Sequence, residues 1–273
     1  MPDSTSDAYV RFLEATSTQV GQRHPASELL ELRPEQRCLD VGCGIGEDAR
    51  ATAKAFNAQL VGIDNNPRMV EVAQSRSAAF PSVTFQTAEA TKLPFPNATF
   101  EAAWVKRTLM HIANPAPVLS EIVRVVKPGG RIVAVEPDLE LVVIDSGMAE
   151  VTRKVLAIQA GAYANASVGR QLRRLLSHAG LIDVHAVPQV MTIPDATTLE
   201  TTLRLFSVAH AGVANGVFSP EEASAWEEDL LTKDRAGVFS CYAVMFTAHG
   251  RVSDSFGDRS ALNASNSSSR VVA

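Results

Sequence analysis

The sequence predicts an α/β fold: a parallel sheet built from βαβ units, with helices on its faces. Three observations carry that reading. Short β-rich runs alternate with helical patterns between residues 36 and 136. The first of those runs empties into a loop of three alternating glycines. The helical stretches repeat their apolar residues with the 3.6-residue period of helices packed on a sheet.

In chain order, residues 1–35 are helix-like and amphipathic in patches, with apolar clusters at Tyr9, Phe12 and Leu13 and at Leu29, Leu30 and Leu32. Strands are expected at 37–41, 59–63, 83–86, 100–105 and 131–135. Before the fifth strand, Val118, Leu119, Ile122, Val125 and Val126 line one helix face. That helix should stop at Lys127-Pro128-Gly129-Gly130, where Pro then Gly suit a type II turn. Further on, Leu172, Leu175, Leu176 and Ala179 mark a helix ended by Gly180, a usual residue just past a helix C-terminus. A strand at 184–193 follows, then a helix with Leu199, Leu203, Phe206 and His210 on one face. Ser219-Pro220-Glu221-Glu222 reads as a capping box that opens the next helix. A β-branched, aromatic run at 238–248 is the last strand. The expected organisation is one domain over 1–252, with 36–136 as its core. Residues 1–35, 141–178 and 195–235 would form a helical cover over one end, and the Ser- and Asn-rich 253–273 a disordered tail.

Composition narrows the function. The 273 residues are 46% hydrophobic, and 30 acidic against 25 basic side chains give a net charge of −5, which argues against a nucleic-acid or anionic-membrane partner. No apolar run approaches the roughly 20 residues needed to span a bilayer. The start, Met1-Pro2-Asp3-Ser4-Thr5-Ser6-Asp7, lacks a secretory pattern, so a cytoplasmic protein is expected. Cys38, Cys43 and Cys241 have no zinc spacing and read as buried thiols. No metal is expected.

The informative stretch is Asp40-Val41-Gly42-Cys43-Gly44-Ile45-Gly46-Glu47-Asp48. Glycines let the backbone turn sharply and approach a ligand at the carboxyl end of a strand. The spacing is G-x-G-x-G, not the dinucleotide G-x-G-x-x-G. Glu47 and Asp48 at the following helix start would repel a pyrophosphate and attract a ligand carrying an ammonium and a sulfonium. Asp64, with Asn65 beside it, ends the second strand, where an acid can accept from ribose hydroxyls; capping the next helix is the plainer use of either residue.

Four ordered segments resemble the motifs of class I S-adenosylmethionine-dependent methyltransferases, in particular the type 11 (ubiquinone/menaquinone-methyltransferase-like) small-molecule subset. They are Asp40–Gly46, Gly62-Ile63-Asp64, Ala88-Glu89-Ala90-Thr91-Lys92-Leu93-Pro94-Phe95 and Arg124-Val125-Val126-Lys127-Pro128-Gly129-Gly130. The resemblance implies a Rossmann-like, seven-stranded, mostly parallel sheet with flanking helices and an antiparallel last strand. It implies that Asp40, Gly42, Cys43, Gly44 and Gly46 hold the methionine part of the cofactor and Asp64 the ribose. Glu89 would face the adenine amino group, where the family usually has Asp, and Ala90 would offer its backbone N–H to the ring.

Methyl transfer from a sulfonium chiefly needs alignment, plus a base when the nucleophile is protonated. His111, after the fourth strand, is the candidate base; a cap or a backbone-bonded histidine is the plainer reading. Lys106 joins the cofactor-binding set, and with Arg107 could orient an anionic or carbonyl substrate; Arg107 could equally pair with a local carboxylate. Asp138 falls on the ligand-binding edge by the switch-point rule. Tyr9, Phe12, Phe206 and His210 complete the candidate acceptor wall, although aromatic residues at helical spacing commonly belong to the core.

The expected function is methyl transfer to a small, largely apolar metabolite, with oxygen as the leading acceptor atom and carbon or nitrogen behind it. A cyclase or regulatory module using the cofactor as a fixed charge keeps the same site, and a nicotinamide oxidoreductase is disfavoured by the loop acids. A homo-oligomer through the N-terminal helices is a possible assembly.

Overall fold

The computed structural model describes residues 25–254 together with Val10 and Leu13. After a 3-10 turn at Pro25–Leu30, five strands follow: β1 Arg37–Val41, β2 Gln59–Asp64, β3 Val83–Thr87, β4 Phe100–Lys106 and β5 Val126–Ile144. Helices α1 Glu47–Phe56, α2 Pro67–Arg76 and α3 Ala116–Val125 alternate with them. Beyond β5 come α4 Ala149–Gly161, α5 Val168–His178, β6 Leu181–Ile193, α6 Ala196–Leu203, α7 Leu205–Ala214, α8 Pro220–Arg235 and β7 Cys241–Val252. Candidates Tyr9 and Phe12 lie outside the described residues, as does the expected tail beyond Asp254.

The strands form one seven-stranded sheet in the order β3-β2-β1-β4-β5-β7-β6. β1 to β5 run parallel, and β7 is antiparallel to both its neighbours. Chain order reverses between β1 and β4, so the carboxyl ends of these strands open a crevice. The middle strands are apolar on both faces: Leu39, Val41, Ala103, Val105, Val133 and Ala134 are fully buried.

Local signals explain most of the element ends. Phe100 pairs with Val126 and Ala102 with Arg131, so Lys127–Gly130 loops out of the ladder. Gly129 supplies the positive φ, 75°, required at the third position of a type II turn. The capping box forms: Ser219 Oγ accepts from Glu222 N at 3.1 Å, and Glu222 Oε2 accepts from Ser219 N at 2.7 Å. Gly180, at φ 89°, follows α5.

Three expectations need correction. The helix spanning Leu199 to His210 is broken at Arg204, which takes a left-handed φ of 55° and divides it into α6 and α7. The break turns His210 outward, where its Nε2 lies 3.2 Å from Glu227 Oε2 while Phe206 stays buried. The region 141–178 is only partly an insertion. Its start extends β5 to Ile144, and α5 packs on the sheet so closely that a Cβ at Gly169 would lie 2.8 Å from Pro137 O. The remaining helices, α4 and α6–α8, pack together around Trp226, whose Nε1 donates to Thr152 Oγ1 at 2.9 Å.

Candidate functional site

The crevice is built on the turn leaving β1. Gly42 N and Cys43 N both donate to Ile63 O of β2, at 2.8 and 2.9 Å, folding the loop across the neighbouring strand tip. Gly42 has φ 75°, and a Cβ there would lie 2.2 Å from Thr108 Oγ1. Gly46, at φ 78°, would drive a Cβ to 2.5 Å from the Phe85 ring. The loop thus has no room for side chains where it packs inward, and without them its backbone can lie close to a ligand in the crevice.

Asp64 anchors the loop from β2. Its Oδ2 accepts from Gly44 N at 3.0 Å and its Oδ1 from Asn66 N at 2.9 Å. Burial raises its pKa, the Asn66 and Gly44 N–H groups oppose that rise, and nearby Glu89 adds to it. Helix α2 is capped by Asn66, whose side chain accepts from Arg68 N at 3.0 Å, so neither Asp64 nor the exposed Asn65 serves as the cap.

The two helix-start acids behave differently from the sequence expectation. Glu47 pairs with Arg50 at 2.6 Å and Arg76 at 3.7 Å. Asp48 receives Lys106 Nζ on both oxygens at 2.9 Å. Each acid is neutralised by the protein itself, so neither is an open anchor for a cationic ligand. Lys106, buried and committed to Asp48, is correspondingly not free to hold the cofactor.

Asp40 is the exception. It is buried, and its Oδ2 has no hydrogen-bond partner among the described residues. Burial, then Asp48, push its pKa well up; Lys106 pulls it down, Asp64 adds a smaller upward push, and the neighbouring Trp104 indole, itself without a hydrogen-bond partner in good geometry, pulls it down last. A buried carboxyl with an orphaned oxygen is costly unless a ligand completes it, and a cation restores its charge. Cys43 is buried beside it, and desolvation raises the thiol far above its ordinary value, so it stays neutral.

The segment after β3 is fixed by a residue that sequence reasoning quoted but gave no role. Arg124 Nη1 donates to Phe95 O at 2.8 Å and its Nη2 to Leu93 O at 3.0 Å, while Glu121 Oε2 accepts from Leu93 N at 2.8 Å. Helix α3 therefore clamps the strip that carries exposed Glu89 and half-buried Ala90.

On the other side of the crevice, Glu136 holds the turn after β4. Fully buried, it accepts from Thr108 N and Leu109 N on Oε1 at 2.8 and 2.7 Å, and from Met110 N on Oε2 at 3.3 Å. His111 closes that turn. Its imidazole packs on Tyr163, with ring centroids 5.4 Å apart, and makes no hydrogen bond among the described residues. Desolvation first, and Arg107 second, lower its pKa, so the ring is neutral near pH 7. Arg107 has no ion pair among the described residues.

Two more candidates leave the acceptor wall. Asp138 is fully buried but held by the Arg170 guanidinium, Nη2 at 2.7 Å and Nε closer, with Glu140 N at 3.2 Å. Both its oxygens are satisfied, so it is structural. Phe206 packs edge-on against Trp226 at 5.9 Å, inside the helical core.

A family model described as a methyltransferase domain matches residues 39–134, a span that starts within β1 and ends within β5. An uncharacterized 37.1 kDa protein of a Streptomyces fradiae transposon is 31% identical over 251 residues, 91% of this chain and 72% of that protein. The chain belongs to the class I S-adenosylmethionine-dependent methyltransferases, type 11. The 27-O-demethylrifamycin SV methyltransferase of Amycolatopsis mediterranei is 32% identical to this methyltransferase over 172 residues, 62% of this chain and 61% of that enzyme. Phosphoethanolamine N-methyltransferase 2 of Haemonchus contortus, solved with S-adenosyl-L-methionine, matches the fold with a TM-score of 0.54 at 20% identity, over 87% of this chain and 56% of that one. The family cofactor is S-adenosylmethionine, and the orphaned Asp40 oxygen suits its cationic methionine end. No helix among the described residues is long and apolar enough to cross a membrane.

Proposed function

We propose that this methyltransferase acts on a hydroxyl oxygen of a medium-sized, largely apolar metabolite. The observation that carries the reading is the pairing of an electron-rich cradle with an unencumbered base: Asp40 with an unpartnered oxygen on one side, and on the other the His111 imidazole, neutral and without a hydrogen bond among the described residues. In this reading Asp40 and the backbone of Gly42, Cys43, Gly44 and Gly46 hold the methionine part of the cofactor. Asp64 exchanges its loop N–H partners for the ribose hydroxyls, with Asn65 beside it, and Glu89 and Ala90 meet the adenine edge.

When bound, S-adenosylmethionine supplies a methyl already activated by its sulfonium. The protein's work is then to align the acceptor and remove its proton. His111 Nε2 or Nδ1 accepts the hydroxyl proton as the oxygen attacks in line, and the 3-10 turn Leu109–His111 after β4, fixed by Glu136, keeps the ring at one place. Val10 and Leu13 lie against the loop: Val10 clusters with Ile45 and Met69, and Leu13 Cδ1 is 3.5 Å from where a Gly44 Cβ would stand. This supports a covering role for the N-terminal segment on the cofactor side.

The test is a turnover assay with methyl-labelled S-adenosylmethionine and a panel of phenolic, polyketide and quinol acceptors. Equimolar S-adenosylhomocysteine and a product heavier by one methyl on oxygen support the reading. Product methylated on carbon or nitrogen overturns the acceptor atom, and cofactor binding without any transfer points to the cyclase or regulatory alternative.

A further inference from the structure

Among the described residues, arginines that lose solvent are held by acids, with two exceptions. Arg50 and Arg76 bind Glu47, Arg124 binds Glu121 and Arg131 binds Glu31. Arg107 and Arg204 are also half-buried, yet neither guanidinium has an ion pair or hydrogen bond among the described residues. A partly desolvated cation without a counter-charge is unfavourable unless a ligand supplies one.

Separate devices fix the backbone at each of these two residues. Arg107 sits at the tip of β4 with φ 51°, its N–H fixed to Val135 O at 2.9 Å. Arg204 sits at the α6–α7 break with φ 55°, and Gln159 Nε2 of α4 ties the adjoining Leu203 O at 2.8 Å. Tyr163, about one helical turn beyond Gln159, rests on His111, which closes the turn that Arg107 opens. Asn165 N donates to Met110 O at 3.0 Å, stitching this segment to the His111 turn. Electrostatics agree with the placement: burial raises the Tyr163 hydroxyl, while Arg204 and then Arg107 pull it down.

We propose that Arg107 and Arg204 form an oxyanion subsite for the acceptor, taking a carboxylate or phosphate group of the substrate beside the His111–Tyr163 pair. The guanidinium fork matches either group through paired N–H bonds. The subsite rests on the methyl-transfer reading above and narrows it: the apolar acceptor carries one anionic group, and that group, not the reacting hydroxyl, sets its orientation.

The experiment is calorimetry of the full chain, alone and with S-adenosylhomocysteine, titrated with benzoate, phenyl phosphate and neutral benzamide. Saturable binding of either anion, at least tenfold tighter than benzamide, is expected; the tighter of the two identifies a carboxylate or a phosphate acceptor. Arg107→Gln and Arg204→Gln should each weaken that anion about tenfold or more, while Arg173→Gln on exposed α5 surface should not. No saturable anion binding, equal affinity for benzamide, or equal loss in the Arg173 variant overturns the subsite. Should a variant fail to fold, the comparison of anion with benzamide on the natural protein decides alone. S-adenosylhomocysteine binding with no anion preference sinks only the subsite, whereas its absence sinks the cofactor reading separately.

Discussion

Glu136 accepts the backbone N–H of Leu109 at 2.7 Å, joining two segments 27 residues apart at the rim of the crevice. The contact fixes the turn that begins at Arg107 and ends at His111. Burial raises the Glu136 carboxyl from 4.5 to about 7, against the N–H groups of Leu109, Thr108 and Met110 and, last, the charge of Arg107. A carboxyl whose pKa is raised on folding holds its proton more tightly in the native state. Stability therefore falls as pH rises from about 4.5 to about 7 and is level above that. Relative to Glu136→Gln, which cannot ionise, the natural protein should lose roughly 3 kcal/mol across that window. Thermal unfolding of both proteins from about pH 5 to pH 8 measures it, and parallel curves would remove the buried charge from the account.

Asp64→Ala should weaken S-adenosylhomocysteine about 30-fold or more, since hydrogen bonds to a charged group contribute roughly 1.5–3 kcal/mol each. Calorimetry reads the affinity, and a melting curve checks that the loop freed at Gly44 has not unfolded the domain. An unchanged dissociation constant would end the ribose assignment.

His111→Ala should lower turnover by about 10²–10⁴ and leave cofactor affinity alone. The base works only when neutral, and desolvation and Arg107 depress its pKa. The acid limb of kcat/KM should therefore lie below the ordinary histidine value of 6.5. An acid limb above it, or full activity in the variant, contradicts the role.

Asp138→Asn should destabilise the fold by about 1–3 kcal/mol through the weakened Arg170 pair, with KM for both substrates unchanged. Denaturant unfolding and steady-state kinetics separate the two effects. A raised acceptor KM in a fully folded variant would return Asp138 to the acceptor wall.

The parallel half of the sheet was legible because its signals are local. Each of the first two strands is an apolar run ending in a glycine turn or an acid, and the Lys127–Gly130 turn is written in four consecutive residues. The errors came from partners remote in sequence. Asp48 looked open to a ligand because Lys106, which neutralises it, stands 58 residues away. Asp138 looked like a rim acid because Arg170 lies 32 residues further on. The break at Arg204 has no turn residue to announce it: the chain bends where Gln159 and Glu200 take up the freed backbone, with Glu200 Oε2 accepting from Phe206 N at 2.9 Å. Glu136 directly follows the expected fifth strand, yet nothing nearby in sequence shows that three amides would converge on it.

The central claim is that the Asp40 loop and Asp64 form a cradle for an adenosyl cofactor with a cationic methionine end. Titrating the natural protein with S-adenosylhomocysteine, and separately with NAD, tests it most directly. The account predicts one saturable site for S-adenosylhomocysteine, weakened in Asp40→Asn, and no heat of binding with NAD. A protein that is folded and binds NAD, or binds neither, would contradict it.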